Sequence, residues 1–180
     1  MLMVSDESLI LQFQAGSRTA FEELFGRYRD PLYGFFRRRI SNEQRAEDLV
    51  QDTWMAVLQN TVRYQPRALF RSYLYGIAFR VAAAERRKEA RKRNTYKEFV
   101  PLSESGDFEA GQRIRDSLGQ LDATDREILM LREYEQLSYA EISEVLQIRL
   151  NTVRSRLFRA RVALKRLLSP EAEIVEGGRQ

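Results

Sequence analysis

The sequence predicts an all-α protein, with two helical domains joined by a flexible linker. Three observations point there. Four Ser- or Thr-led capping boxes each precede apolar residues that recur at steps of three and four, the period of a helix. No stretch alternates apolar and polar residues between turn signals, so strands are not expected. Residues 97–113 mix Pro101, Ser103, Ser105, Gly106 and Gly111 with Glu104, Asp107 and Glu109, the composition of a linker. The expected boundaries are 1–96 for the first domain, 97–113 for the linker, 114–168 for the second domain and 169–180 for a frayed tail.

In order, residues 6–15 suit a short amphipathic helix with Leu9, Ile10 and Phe13 inward, stopped by Gly16. Thr19-Ala20-Phe21-Glu22 caps a second helix that buries Phe21, Leu24, Phe25, Tyr28, Leu32, Phe35 and Phe36. Pro31 is expected to kink it, and Arg37-Arg38-Arg39 suit its negative C-terminal pole. Ser41-Asn42-Glu43-Gln44 caps a third helix to about Asn60, with Ala46, Val50, Thr53, Trp54 and Val57 inward. Residues 61–69 break at Pro66 and read as a loop. A long helix runs from Phe70 to about Arg93, its inner stripe being Phe70, Tyr73, Leu74, Ile77, Ala78 and Val81. In the second block, Ile114, Leu118 and Leu121 start a new helical pattern. Thr124-Asp125-Arg126-Glu127 then caps a helix through Ile128, Leu129 and Leu131.

The stretch from Ser138 to Leu168 reads as a helix-turn-helix. Ser138-Tyr139-Ala140-Glu141 opens a short helix that buries Ile142, Val145 and Leu146. Gln147-Ile148-Arg149-Leu150 connects to a longer helix with Asn151 as its N-cap. Val153, Leu157, Ala160, Leu164 and Leu167 form its apolar back. Arg154, Phe158, Arg161 and Lys165 form its front, flanked by Ser155, Arg156 and Arg159. Residues 149–166 hold seven Lys/Arg and no acid, so this front suits phosphates and base edges in a major groove.

Two other surfaces stand out. Glu47, Asp48, Gln51 and Asp52, beside Met55, make an acidic strip with no basic residue four positions on from either aspartate, a docking surface for a basic partner. The bland account of the same acids is a favourable dipole near a helix N-terminus. On the 70–93 helix, Arg71, Tyr75, Phe79 and Arg86 interleave cations with aromatics, which fits stacking on single-stranded nucleic acid. The competing account places Tyr75 and Phe79 in a wide buried face.

The net charge of +4 hides an asymmetry. Residues 86–97 and 149–166 together hold 14 of the 30 basic residues and one of the 26 acids, so two basic surfaces sit on an otherwise acidic chain. With no cysteine there is no disulfide and no thiolate, and with no histidine the commonest general base and metal ligand are absent. No catalytic residue, metal or cofactor is expected. The opening Met1-Leu2-Met3-Val4-Ser5-Asp6-Glu7 lacks a basic leader region, and no apolar run is long enough for a membrane span, so a cytoplasmic protein is expected.

Ala46-Glu47-Asp48-Leu49-Val50-Gln51-Asp52 resembles the signature of the sigma-2 domain. Leu137-Ser138-Tyr139-Ala140-Glu141-Ile142, followed by Asn151-Thr152-Val153-Arg154-Ser155-Arg156-Leu157-Phe158-Arg159-Ala160-Arg161, resembles the sigma-4 domain. In this order, over nearly the whole chain, they resemble a bacterial RNA polymerase sigma factor of the extracytoplasmic-function type. The resemblance implies a sigma-2-like helical bundle and a sigma-4-like helix-turn-helix that recruit core polymerase to −35 and −10 promoter elements. It implies docking of Glu47, Asp48, Gln51 and Asp52 on the β′ clamp helices, and a second contact with the β flap. It implies −10 recognition and melting by Tyr64, Gln65, Arg67, Arg71, Tyr75, Phe79, Arg80, Arg86 and Arg87. It implies −35 recognition by Arg149, Thr152, Arg154, Ser155, Arg156, Phe158, Arg159 and Lys165, and an anti-sigma factor as a further partner.

Four positions depart from the family pattern. Arg80 and Ala84 stand where Asn and Asp are usual, and Gln147 and Asn151 stand where glycine is usual. Asn suits a cap, whereas Gln147 costs about 1 kcal/mol if its φ is positive. Two other functions compete. An ordinary helix-turn-helix regulator with a ligand-sensing or dimerising N-terminal half explains 138–168 equally well. An enzyme using Asp48 and Asp52 to hold a divalent metal would need about six oxygen ligands, and no further set converges in sequence.

Overall fold

The helices at Asp6–Gln14, Arg18–Arg37, Glu43–Asn60 and Ala123–Glu133 begin where a side-chain oxygen accepts from an amide of the first turn. The computed structural model describes residues 4–40, 42–66, 69–92 and 108–169. The helices are α1 (Asp6–Gln14), α2 (Arg18–Arg37), α3 (Glu43–Asn60), α4 (Phe70–Lys92), α5 (Phe108–Gln120), α6 (Ala123–Glu133), α7 (Tyr139–Leu146) and α8 (Leu150–Leu168), with a 3-10 turn at Thr61–Arg63. There is no strand among the described residues. The chain divides into two compact units, α1 to α4 belonging to one and α5, α6 and α8 to the other, so the expected fold class holds.

Several caps differ from the expected ones. α2 is capped by Ser17, not Thr19, and α6 by Asp122, not Thr124. α3 is capped by Asn42, whose Oδ1 accepts from the Arg45 amide at 2.9 Å; Ser41 lies outside the described residues. Each true cap has a non-helical ψ, 103° at Ser17, 117° at Asn42 and 140° at Asp122. Where Ser, Thr, Asn and Asp cluster, several oxygens are in range, and the residue that leaves the helix in non-helical geometry takes the role. α8 starts at Leu150 with Arg149 at the cap position, so Asn151 sits inside the first turn and is not the N-cap. The Ser138 box forms as expected: the Glu141 amide donates to Ser138 Oγ at 3.2 Å and the Ser138 amide to Glu141 Oε2 at 2.7 Å.

In the first unit, Leu24, Leu32, Phe35 and Phe36 of α2 are fully buried, as are Leu49 and Val57 of α3 and Phe70 and Leu74 of α4. The Trp54 ring lies 5.5 Å from Phe21 and 5.4 Å from Phe25. α2 remains one helix through Pro31, which is exposed. In the second unit α6, which buries Ile128, Leu129, Met130 and Leu131, packs on α8, which buries Val153, Leu157 and Ala160. Leu164 and Leu167 are only half-buried.

α5 opens at Phe108, inside the stretch expected to be linker. Glu109, Ala110, Gln112 and Arg113 are good helix formers and outweigh Gly111. The rest of the expected linker, Arg93 at the expected helix end, Arg67 and the expected tail from Pro170 lie outside the described residues.

Candidate polymerase and promoter interfaces

The α3 strip is present, but it carries its own counter-ion. Glu47, Gln51 and Asp52 are exposed and Asp48 is half-buried. Arg45 Nη1 lies 3.5 Å from Asp48 Oδ2, and Arg45 Nη2 lies 3.7 Å from Asp52 Oδ2 and 2.8 Å from Glu85 Oε2. The expectation of an unneutralised strip is therefore corrected. The cation comes from one and two turns N-terminal, not from the i+4 side, and it also serves Glu85 of α4, which is 8% exposed. The hydrogen bond to Glu85 is the main reason the Arg45 guanidinium is held above its ordinary range. Met55 is 53% exposed beside the acids.

Between the end of α3 and the face of α4 lies a cavity of about 240 Å³, lined by Asn60, Tyr64, Tyr73, Ile77 and Arg80. The Tyr64 ring lies 5.1 Å from Tyr73 and 6.1 Å from Phe70 and is 7% exposed. Burial pushes its hydroxyl up to about 12, with the Glu7 charge adding to the shift. The Tyr73 hydroxyl is buried without a hydrogen-bond partner among the described residues. The sequence reading missed Asn60 and Tyr73, the first taken as a helix end and the second as core.

Of the residues implied for the −10 face, Gln65, Arg80 and Arg87 are exposed, and Arg71, Phe79 and Arg86 are half-buried. Tyr64 forms a cavity wall, not a protruding ring. Tyr75 is the clear correction. It is 2% exposed with its ring 5.7 Å from Phe35, so it is core and no base can stack on it. α4 is packed on more than one side, so its buried arc spans Leu74, Tyr75, Ile77, Ala78 and Ala82 instead of one stripe.

In the helix-turn-helix, Gln147 adopts φ +55°, and its Nε2 donates to the Glu144 carbonyl at 2.6 Å. Gln136, before α7, repeats the device with φ +56° and a 3.0 Å bond from Nε2 to the Glu133 carbonyl. Ser143 closes the turn, its hydroxyl donating to the Ile148 carbonyl at 2.5 Å. On α8, Val153, Leu157 and Ala160 are buried while Arg154, Ser155, Phe158 and Arg159 are exposed, Phe158 to 70%. Arg149 and Lys165 are also exposed, and Thr152 is half-buried. The front is not wholly unpaired, however. Arg156 Nη1 lies 2.8 Å from Asp125 Oδ1, and Arg161 Nη2 lies 2.7 Å from Glu133 Oε1. α8 has no acid of its own here, and α6 supplies it. Arg156 thus ties α8 to the start of α6.

The chain carries two bodies known together in one class of protein, the sigma-70 type. The family description "Sigma-70 region 2" matches residues 24–92 and "Sigma-70, region 4" matches residues 111–164. The chain is 29% identical to the RNA polymerase sigma-H factor of Pseudomonas aeruginosa, over 92% of this chain and 94% of that one. It is 30% identical to the RNA polymerase sigma factor CarQ of Myxococcus xanthus, over 87% of this chain and 94% of that one. The solved structure of CnrH in complex with the cytosolic domain of CnrY superposes with a TM-score of 0.71 at 28% identity, over 91% of this chain and 96% of that one. The chain belongs to the extracytoplasmic-function sigma factors, the promoter-specificity subunits of bacterial RNA polymerase. The region 2 match removes the reading of an ordinary helix-turn-helix regulator. Among the described residues no helix is long and apolar enough to cross a membrane.

Proposed function

We propose that this chain brings core RNA polymerase to promoters bearing −35 and −10 elements, with each surface doing one part of the work, and that it catalyses nothing itself. The observation that carries this reading is on α8. Arg154, Ser155, Phe158 and Arg159 are exposed over a back of Val153, Leu157 and Ala160 that is buried, the arrangement of a recognition helix. Arg154 and Arg159 have no acidic partner among the described residues and suit bidentate contacts to guanine, while Phe158 suits thymine methyls. Arg149 and Lys165 flank them and suit phosphates.

The cavity beside Tyr64 suits an unpaired −10 base: it offers two aromatic walls, the Asn60 amide and the Tyr73 hydroxyl, which has no hydrogen-bond partner among the described residues. Exposed Gln65, Arg80 and Arg87 suit the neighbouring strand. Glu47, Asp48, Gln51 and Asp52 suit the basic β′ clamp helices. A groove of about 500 Å³ with Leu129, Leu164 and Leu168 as its apolar lining, edged by Glu133, Arg161, Lys165 and Ser169, suits the β flap. In this reading the first domain is 1–96 and the second runs from α5 to about residue 168. A masking protein belongs to this reading, as CnrY belongs with CnrH, and the site of action is the cytoplasm, where polymerase works. Run-off transcription with core polymerase on a promoter library tests the whole. Core plus this chain should start at a defined set of sequences. Initiation no different from core alone would refute it.

A further inference from the structure

α1 carries no residue assigned to DNA or to polymerase, yet it takes hold of the backbone on both sides of the Tyr64 cavity. Gln14 Nε2 donates to the carbonyl oxygens of Thr61 at 2.6 Å and of Tyr64 at 3.0 Å. Glu7 Oε1 accepts from the Phe70 amide, the first of α4, at 2.9 Å. Glu7 and Gln14 are two turns apart and share a face of α1. The two ends of the stretch between α3 and α4 therefore hang on one short helix.

That helix is itself well held. Leu9 and Ile10 are buried, and Ser5 accepts from the Ser8 amide at 3.2 Å. Asp6 pairs with Arg27 at 2.6 Å and accepts from the Tyr28 hydroxyl. The Tyr28 ring in turn lies 5.8 Å from Phe70. The chain from Glu7 to the cavity is thus continuous: α1, the backbone of Thr61 and Tyr64, then the ring of Tyr64 against Tyr73.

Without these bonds the three backbone groups would turn to water, and water accepts many backbone conformations where a fixed amide accepts few. A cavity whose wall is already placed takes up a base without an ordering cost. We propose that Gln14 and Glu7 are positioning residues for this cavity, and that by fixing the backbone beneath Tyr64 they set how strictly it discriminates between unpaired bases. The proposal rests on the reading of the cavity as the −10 base site.

The test uses holoenzyme reconstituted from the full chain and core polymerase. Binding is measured to a single strand carrying the selected −10 sequence and to strands with each base changed in turn. Gln14→Met keeps the volume and loses the donor. It should weaken binding to the selected strand about fivefold to tenfold and reduce the preference over changed strands by the same factor, with affinity for core unaltered. Glu7→Ala should behave likewise, while Glu7→Gln, which still accepts from the Phe70 amide, should restore the preference. Asn60→Ala and Tyr73→Phe report on the cavity itself. If they lower the preference while Gln14→Met and Glu7→Ala leave it intact, the positioning role is overturned and the base site stands. If all four leave it intact, the base site falls and the proposal with it. Should Gln14→Met fail to fold, the contrast between Glu7→Ala and Glu7→Gln decides: equal behaviour of the two overturns the role.

Discussion

Arg156 of α8 holds two carboxylates at the start of α6, with Nη1 2.8 Å from Asp125 Oδ1 and 3.1 Å from Asp122 Oδ1. Asp122 also caps α6, accepting from the Thr124 and Asp125 amides at 3.0 and 3.3 Å. A cation in the middle of α8 is thus paired with acids at the start of α6. Arg156→Ala should lower the stability of the second unit by up to about 1 kcal/mol. Its −35 preference should not change. A chemical denaturation curve and a competition assay on −35 variants check the two halves. A changed preference at unchanged stability would return Arg156 to the groove.

Arg154 and Lys165 should fail in different ways. Arg154→Ala should cost roughly 1 to 3 kcal/mol on the preferred site and relax one or two −35 positions. Lys165→Ala should weaken all sequences alike and make the salt slope shallower by about one unit. Titrations on preferred and scrambled duplexes over a salt series separate them. Equal loss on both duplexes for Arg154→Ala would make it a phosphate contact.

Reversing Asp48 and Asp52 to lysine should weaken binding to core polymerase while helical content holds, because Arg45 keeps its 2.8 Å bond to Glu85. Core affinity by interferometry, with circular dichroism beside it, is the check. Unchanged affinity would move the docking surface elsewhere.

Tyr64 should titrate late. Its folded value, about 12, lies above the ordinary tyrosine value of 10.0. Its contribution to stability is therefore complete below pH 10.0, the unfolded value, and is lost as pH rises toward about 12. Phenolate absorbance during a rapid alkaline titration reads it. Glu7→Gln should bring the transition down, since the Glu7 charge raises it. A transition that does not move would separate Glu7 from Tyr64.

Gln147→Ala keeps the positive φ and loses the bond to Glu144, so it should destabilise the helix-turn-helix by about 0.5 to 1.5 kcal/mol. Gln147→Gly relieves the backbone and should recover about 1 kcal/mol relative to alanine. Thermal melts of the two variants decide the order.

What was legible in the sequence was local. The Ser138 box, the buried backs of α3 and α8 and the strain at Gln147 are all decided within a few residues, where period and cap chemistry govern. Partners distant in the chain were not legible. Arg45 meets Glu85, Arg156 meets Asp125 and Arg161 meets Glu133 across 40, 31 and 28 residues. A basic stripe looks unrelieved until another helix brings its acids. For Tyr75 the sequence left two accounts open, an exposed stacking face and a wide buried one, and packing of α4 on more than one side decides for burial. The cavity could not be read at all, since Asn60, Tyr64 and Arg80 come from the end of α3, the turn after it and α4, and converge only in the folded chain.

The twin glutamines carry a practical consequence for handling the protein. At Gln136 and Gln147 a side-chain amide offsets an unfavourable backbone by donating to a carbonyl three residues back. Loss of ammonia from either would exchange that donor for a carboxylate aimed at the same oxygen, turning a tether into a repulsion while the strain remains. Chemical ageing of a stored sample would then loosen the turns that present α7 and α8, with the encoded sequence intact. Peptide mapping by mass spectrometry alongside a melting curve would show the two changes arriving together.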